Sequence, residues 1–249
     1  MEIRTTRSSA AAIAALREAY SRQLECQMVH YSFIGRELSD VYVATAGGHE
    51  VGYAAVSNRY DKGRLNEFFV MPDHRKAAPE IFRELLKVSG ATHVEAQTNS
   101  ALPLEMLRDF GTNERVEKVL FGDGPSTTLS SPEDSAFRER RESDGPGMFG
   151  RPEEVLAQWV IEAGREIVAA GGFLTHYNPP YGDIFMETSE SARRRGFGSY
   201  LVQELRRVCR EAGRMPAARC DPANEASRKT LLKGGMRICG ELLVAEART

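Results

Sequence analysis

The chain has 249 residues, 41% of them hydrophobic and 27% charged, with a formal net charge of -2. That length holds one large domain or two of roughly 120 residues each. The near-neutral charge excludes a global electrostatic footprint for nucleic acid or an anionic membrane, so any anion site is local. The four cysteines, Cys26, Cys209, Cys220 and Cys239, form no C-x-x-C pair, and the histidines are dispersed. Free thiols in a reducing cytoplasm fit this better than disulfides or zinc, and no metal site is expected. The opening "MEIRTTRSSAAAIAAL" lacks a basic region followed by a long apolar stretch, and no run of about 18 apolar residues occurs. Neither a signal peptide nor a membrane span is expected, and the location expected is cytoplasmic.

In chain order, "SSAAAIAALREAYSRQLE" reads as an alanine-rich helix, fit for a lid or an interface. "DVYVATAGGHEVGYAAVS" reads as a hairpin about Gly47-Gly48, and "RLNEFFVM" as a strand. Pro79 to Val88 is a helix with proline near its first turn. "THVEAQT" is a strand, and "NSALPLEMLRDFG" a turn, a short helix and a glycine stop. Gly, Pro, Ser and Asp cluster in "FGDGPSTTLSSPEDS", which sets a boundary between residues 1–122 and 123–249; "TTLS" there could be a strand exchanged between the halves. "RRESDGPGMFGRPEE" is a second loop-like stretch.

The second half repeats the order. "WVIEAG" and "EIVAAGGFLTHY" are two strands about a turn at Ala163–Arg165, and "YGDIFMET" is a third. Phe197, Tyr200, Leu201, Leu205 and Val208 follow helical spacing. "MPAARCD" is a short strand, Ala226 to Lys233 a helix stopped by Gly234-Gly235, and "MRICGELLVAE" a last strand. "HEVGYAA" matches "REIVAAG", and "LNEFFVM" matches "GDIFMET". The expectation is an α/β (α+β) protein of two duplicated units, each a mixed, mostly antiparallel sheet flanked by helices. The first half is expected to pack on the second and complete its acceptor pocket.

Between the third strand and the helix of the second half lies "ETSESARRRGFGSYL". The first helical turn leaves about four N–H groups unbonded, and the peptide dipoles add partial positive charge there. A phosphate satisfies both. Gly196 and Gly198 clear the approach to the backbone, and Arg193, Arg194 and Arg195 supply forked donors. The pattern is R-x-x-G-x-G. It is neither the dinucleotide fingerprint nor a Walker A loop, and a plain basic surface turn is the competing reading. The first half reads "MPDHRKAAPEIF" at the same place, with Ala77 and Pro79 where the glycines would be.

At "ARRRGFGSYLVQEL" and "ARCDPANEASRKTLLKGGM" the sequence resembles the GNAT superfamily of acyl-CoA-dependent N-acyltransferases. The resemblance is close from about Gly164 to Val244 and weaker, mainly in element order, before that. It implies a tandem protein, with a degenerate unit at 1–122 and an acetyl-CoA-binding unit at 123–249. It implies that backbone amides of Arg194, Arg195, Gly196, Phe197, Gly198 and Ser199 cradle the CoA pyrophosphate, assisted by the side chains of Arg193, Arg194 and Arg195. Met186, Glu187 and Thr188 would pair their main chain with the pantetheine arm, and Asn224 and Ser227 would hold its distal part. Many family members place a tyrosine, as general acid, where this chain has Leu231. Cys220 and Tyr200 are weak substitutes.

The implied activity is acetyl transfer from acetyl-CoA to a primary amine by direct attack in a ternary complex. The alternative is a non-catalytic acyl-CoA sensor or interaction module. An amine must lose a proton to attack, so a carboxylate or histidine beside the thioester is a candidate base. Glu187 lies in the strand expected along the thioester, Asp183 shares its face by strand periodicity, and His176 sits in the adjoining "LTHYNPPYGD". Each has a structural reading as well: outward strand residue for Glu187, polar loop residue for His176. Tyr177 and Tyr181 are expected to wall the acceptor pocket. The acceptor is a small-molecule or peptide amine whose identity the sequence leaves open, no nucleic acid or membrane partner is expected, and a homodimer is open.

Overall fold

A computed structural model describes residues 2–132, 134–144 and 157–248. The chain packs as two compact units, Met1–Lys118 with Gly240–Thr249, and Val119–Cys239.

The first unit opens with β1 (Ile3–Ser8), α1 (Ala14–Gln23) and α2 (Ser32–Gly35). The antiparallel strands β2 (Ser39–Ala46), β3 (His49–Ser57) and β4 (Arg64–Val70) follow, then α3 (Ala78–Ser89), β5 (His93–Gln97), α4 (Ala101–Phe110) and β6 (Gly111–Asp123). The second unit repeats the plan with β7 (Ser135–Glu139), β8 (Trp159–Ala163), β9 (Glu166–Leu174), β10 (Tyr181–Thr188), α5 (Phe197–Glu211), β11 (Met215–Cys220), α6 (Glu225–Lys233) and β12 (Met236–Ala247). The sheet of the first unit runs β1-β2-β3-β4-β5-β12, and that of the second β6-β11-β10-β9-β8-β7.

Strand alternation explains the layers. In β2, Val41 and Val43 pack under α1, while Tyr42, Ala44 and Ala46 join α3 and α4 on the opposite face. The β2–β3 turn places Gly47 and Gly48 at φ 59° and 85°, the left-handed pair that a two-residue hairpin requires. α3 buries Ile81, Phe82 and Leu85, and stops at Gly90 with φ 65°, whose N–H bonds to Leu86 O. In the second unit α5 buries Phe197, Leu201, Val202 and Leu205 against Ile184, Val168 and Ala218 of the sheet.

The hairpins, the two long helices and the mixed sheets stand as expected. Three strands were not legible: β1, β7 and β6, whose burial patterns alternate poorly. Thr127–Ser130 carries no strand; Leu129 instead exchanges backbone hydrogen bonds with the Gln203 side chain. The exchanged strands are the last of each repeat. β6 enters the second unit at Val119 and pairs with β11, and β12 pairs Leu242–Glu246 with β5 of the first. A single cut after residue 122 therefore misses the C-terminal segment. Residues 145–154 of the expected loop at 140–154 lie outside the described residues.

Arg206 ties the second unit together. It is 1% exposed and donates to Asp123 Oδ1 at 2.9 Å, Gly234 O at 2.8 Å, Gly124 O at 2.8 Å and Pro125 O at 3.0 Å. Gly235 lies beside it at φ 92°, where a Cβ would run into the guanidinium. This glycine thus makes room for an arginine as well as ending α6. Arg210 adds two bonds to Asp123. Burial alone raises the Asp123 pKa, but hydrogen bonds from Arg210 and Arg206 outweigh it and hold the carboxyl below the usual range.

Arg206→Met should destabilise the protein by about 3 kcal/mol in urea unfolding, because it strands buried acceptors. A depressed folded pKa contributes stability that is present above the unfolded value, near ~3.9, and is lost as pH falls through the folded one. Asp123→Asn should therefore flatten the fall in stability on acidification below about pH 4; an unchanged slope contradicts the assignment.

Candidate active site

β10 and β11 are parallel neighbours for three residues only, Tyr181↔Met215, Gly182↔Pro216 and Asp183↔Ala217. β10 then continues to Thr188 paired with β9 alone, while β11 continues to Cys220 paired with β6. The strands part at Asp183, and the β11-facing edge of Ile184–Thr188 has no strand partner among the described residues. A cavity of about 360 Å³ opens at the fork. It reaches both faces of the sheet. Cys220, Asn224, Ser227 and Leu231 line it on the helical face, and His176, Asp183 and Arg219 on the other.

Past the free edge the chain turns into α5. Arg194 and Gly196 are left-handed, at φ 63° and 95°, so successive peptides turn their N–H groups toward one spot. Gly196 caps the helix with no side chain, the first turn carries no acid, and the first intrahelical bond into it is Tyr200 N–H to Gly196 O at 3.1 Å. The orphan amides of the first turn face a depression of about 1000 Å³, lined by Thr188, Arg193, Arg194, Gly196, Gly198 and Ser199 together with α6. A Cβ on Gly198 would stand 3.1 Å from both Thr188 Oγ1 and Thr230 Cγ2, so any larger residue would crowd this passage. α6 contrasts with this: Asn224 Oδ1 accepts the Ser227 N–H at 3.0 Å, and Glu225 sits in the first turn. One helix end is closed by its own side chains, and the other is left electropositive.

On the non-helical face, His176 Nε2 lies 3.0 Å from Asp183 Oδ2, off the line of a hydrogen bond. Arg219 Nη2 lies 3.8 Å from the same oxygen, with its guanidinium 5.6 Å over the Tyr177 ring. Tyr177 is 1% exposed. Burial first, and the Asp183 charge second, push its phenol well above the usual value, so it stays a neutral donor.

The structure gathers most of the expected residues but sorts them. His176, Asp183, Met186, Asn224 and Ser227 line the fork cavity; Thr188, Arg193, Arg194, Gly196, Gly198 and Ser199 line the depression. Glu187 is half-buried and lines neither. Phe197 is fully buried, leaving only its amide to serve. Arg195 stacks over the Phe197 ring at 5.2 Å rather than lining the depression. Tyr177 and Tyr181 are buried and do not line the cavity. Leu231 is 3% exposed and gives the cavity an apolar wall; Cys220 lines it too, whereas Tyr200 packs against the core. Arg219 was not foreseen. Its signal was a lone charge in the small-residue strand "MPAARC".

The first unit has the same fork, filled. β4 and β5 pair only at Arg64↔His93 and Leu65↔Val94. Beyond this the linker between α1 and α2 lies across β5: Val29 N–H bonds to Gln97 Oε1 at 3.2 Å, Gln97 Nε2 to Gln27 O at 2.7 Å, and His30 Nδ1 meets Glu95 Oε1 at 2.7 Å. The remaining cavity is about 20 Å³, room for about one water. α3 begins with Pro79 and Glu80 in its first turn, an acid where an anion would have to sit.

These residues fit a diphosphate at the α5 terminus and an extended arm along the free edge of β10. Known proteins agree on the fold. The acetyltransferase (GNAT) family profile matches residues 121–236, and an acetyltransferase (GNAT) domain profile matches residues 9–124. No curated protein matches the sequence. Among solved structures, a GNAT-family acetyltransferase from Colwellia psychrerythraea superposes with TM-score 0.78 at 16% identity over all of both chains. A GCN5-related N-acetyltransferase from Sphaerobacter thermophilus gives 0.57 at 15%, covering 99% of this chain and 96% of that one. A tandem GNAT protein from the clavulanic acid biosynthesis pathway gives 0.57 at 11%, covering 100% and 99%. The chain belongs to the GNAT acetyltransferase family and carries two such domains in tandem.

Proposed function

We propose that the second unit transfers an acetyl group from acetyl-CoA to a primary amine, by direct attack of the amine in a ternary complex. The observation that carries this reading is the fork cavity that opens on both sheet faces. It gives two reactants separate approaches to one point.

Acetyl-CoA supplies the activated acyl group, and its thiol, with an ordinary pKa of ~8.5, leaves with little protonation. The amides of Phe197, Gly198 and Ser199, with Arg193 and Arg194, hold the diphosphate. The free main-chain edge of Ile184–Thr188 aligns the arm as an added strand would, and one of its N–H groups is placed to stabilise developing negative charge on a carbonyl oxygen. Asn224 keeps its amide nitrogen for the arm, since its oxygen caps α6. Leu231 and Phe185 keep water from the fork. His176 and Asp183 receive the proton of the amine from the other face. Their adjacency favours them over Glu187 for this role.

A second reading is favoured by Leu231, which puts an apolar wall where an acid would assist the leaving thiol. A sensor would bind CoA and release no free thiol with any amine. Thiol release from acetyl-CoA across an amine panel separates the two, and transfer predicts amine-dependent release.

Calorimetry should find one CoA per chain, because among the described residues only α5 presents an uncapped, acid-free terminus beside an open fork. Two sites per chain would contradict this. Gly198→Arg should weaken CoA binding by at least about 100-fold, roughly 2.8 kcal/mol, with far-UV circular dichroism unchanged. Unaltered affinity would reduce the glycine–arginine turn to plain surface.

A further inference from the structure

We infer that the acceptor is a zwitterion, an amine carrying its own carboxylate as a free amino acid does, and that Arg219 binds the carboxylate. This rests on the transfer proposed above and names its substrate class.

The ground is hydrogen-bonding capacity left unspent at one end of the fork cavity. The Arg219 side chain donates no hydrogen bond to any described residue; its contacts are the 3.8 Å approach to Asp183 and the face of Tyr177. Its side chain is 31% exposed, and Asp183 is 9% exposed beside it. The buried His176 Nε2 also lacks a hydrogen-bond partner among the described residues. The same unit shows what a satisfied arginine looks like: Arg206 meets four acceptors at 2.8–3.0 Å. Arg219 and Asp183 are close enough to neutralise one another and too far apart to satisfy one another. Buried polar groups without partners are costly, so such a set is complementary to a ligand that brings the missing bonds.

The charges select among amines. A simple alkylamine arrives as an ammonium and gains Asp183, but it also meets the Arg219 cation and leaves its fork empty. A diamine adds a second positive charge near Arg219. An amino acid sets its ammonium toward Asp183 and His176 and its carboxylate toward Arg219, where the planar fork accepts two oxygens. The pair of protein charges is then matched by a pair of opposite sign. Arg219 projects from β11 just beyond the fork, on the face away from α6, so the carboxylate sits clear of the co-substrate side.

The test uses matched pairs that differ only in the carboxylate: leucine and isoamylamine, phenylalanine and phenethylamine, lysine and cadaverine. Thiol release from acetyl-CoA is followed with wild type, Arg219→Gln and Arg219→Lys. Wild type should prefer the carboxylate member of a pair at least 10-fold in kcat/KM. Arg219→Gln should erase the preference, mainly through KM, with CoA affinity unchanged, and Arg219→Lys should restore part of it. Equal use of the decarboxylated partners, or a preference that survives in Arg219→Gln, overturns the inference and leaves acetyl transfer standing. If no amine releases thiol, saturation-transfer NMR on the CoA-loaded protein decides. Amino acids that bind wild type but not Arg219→Gln sustain the zwitterion site while transfer fails; no binding by any of them overturns the site as well.

Discussion

Everything at the site depends on two parallel strands that stay together for three residues and then part. Main-chain N–H and C=O groups in a sheet are obligatory hydrogen-bonding groups. A strand that loses its neighbour midway therefore presents a row of donors and acceptors, and β10 does so over Ile184–Thr188. The fork fixes the rest by connection. The free edge leads directly into the glycine–arginine turn, and the start of the fork places Asp183 on one face with the residues of α6 on the other. The β9 side of β10 stays fully paired, so the open edge is held by a rigid one.

The chain contains its own control. Both units have the fork, and both follow it with a strand-to-helix turn. In the first, the α1–α2 linker fills the cavity through Gln97 and Glu95, and proline and glutamate occupy the start of α3. In the second, no side chain of a described residue fills the fork, and the start of α5 carries neither cap nor acid. Two units of one fold thus differ, through a few side chains, in whether the fork is filled or open. Fold follows from the periodicity of buried residues, whereas binding follows from which backbone groups are left accessible.

Much of this was legible in the sequence for local reasons. Hairpin glycines, helical spacing and glycine stops are short-range signals, and they gave β2 to β5, β8 to β12 and the helices α3 to α6 near their observed limits. The geometry of the glycine–arginine turn was legible because Gly196 and Gly198 mark directly where the backbone is left uncovered. What failed was non-local. The sequence cannot state that β12 leaves its own repeat after Cys239, since its apolar pattern fits either sheet. β1 and β7 carry few buried residues, so their alternation is faint. Glu187 and Asp183 share a face by periodicity, but only the fork decides that Asp183 borders the cavity. Arg219 became visible only once the register set it two residues past Ala217, beside Asp183.

The central claim is that the free edge of β10 and the uncapped start of α5 form one ligand site, absent from the first unit. Hydrogen–deuterium exchange with and without CoA tests it at the backbone itself. Protection should appear at residues 184–188 and 195–199, with exchange at 66–70 and 77–81 unchanged. Protection in the first unit, or none at either segment of the second, would contradict the account.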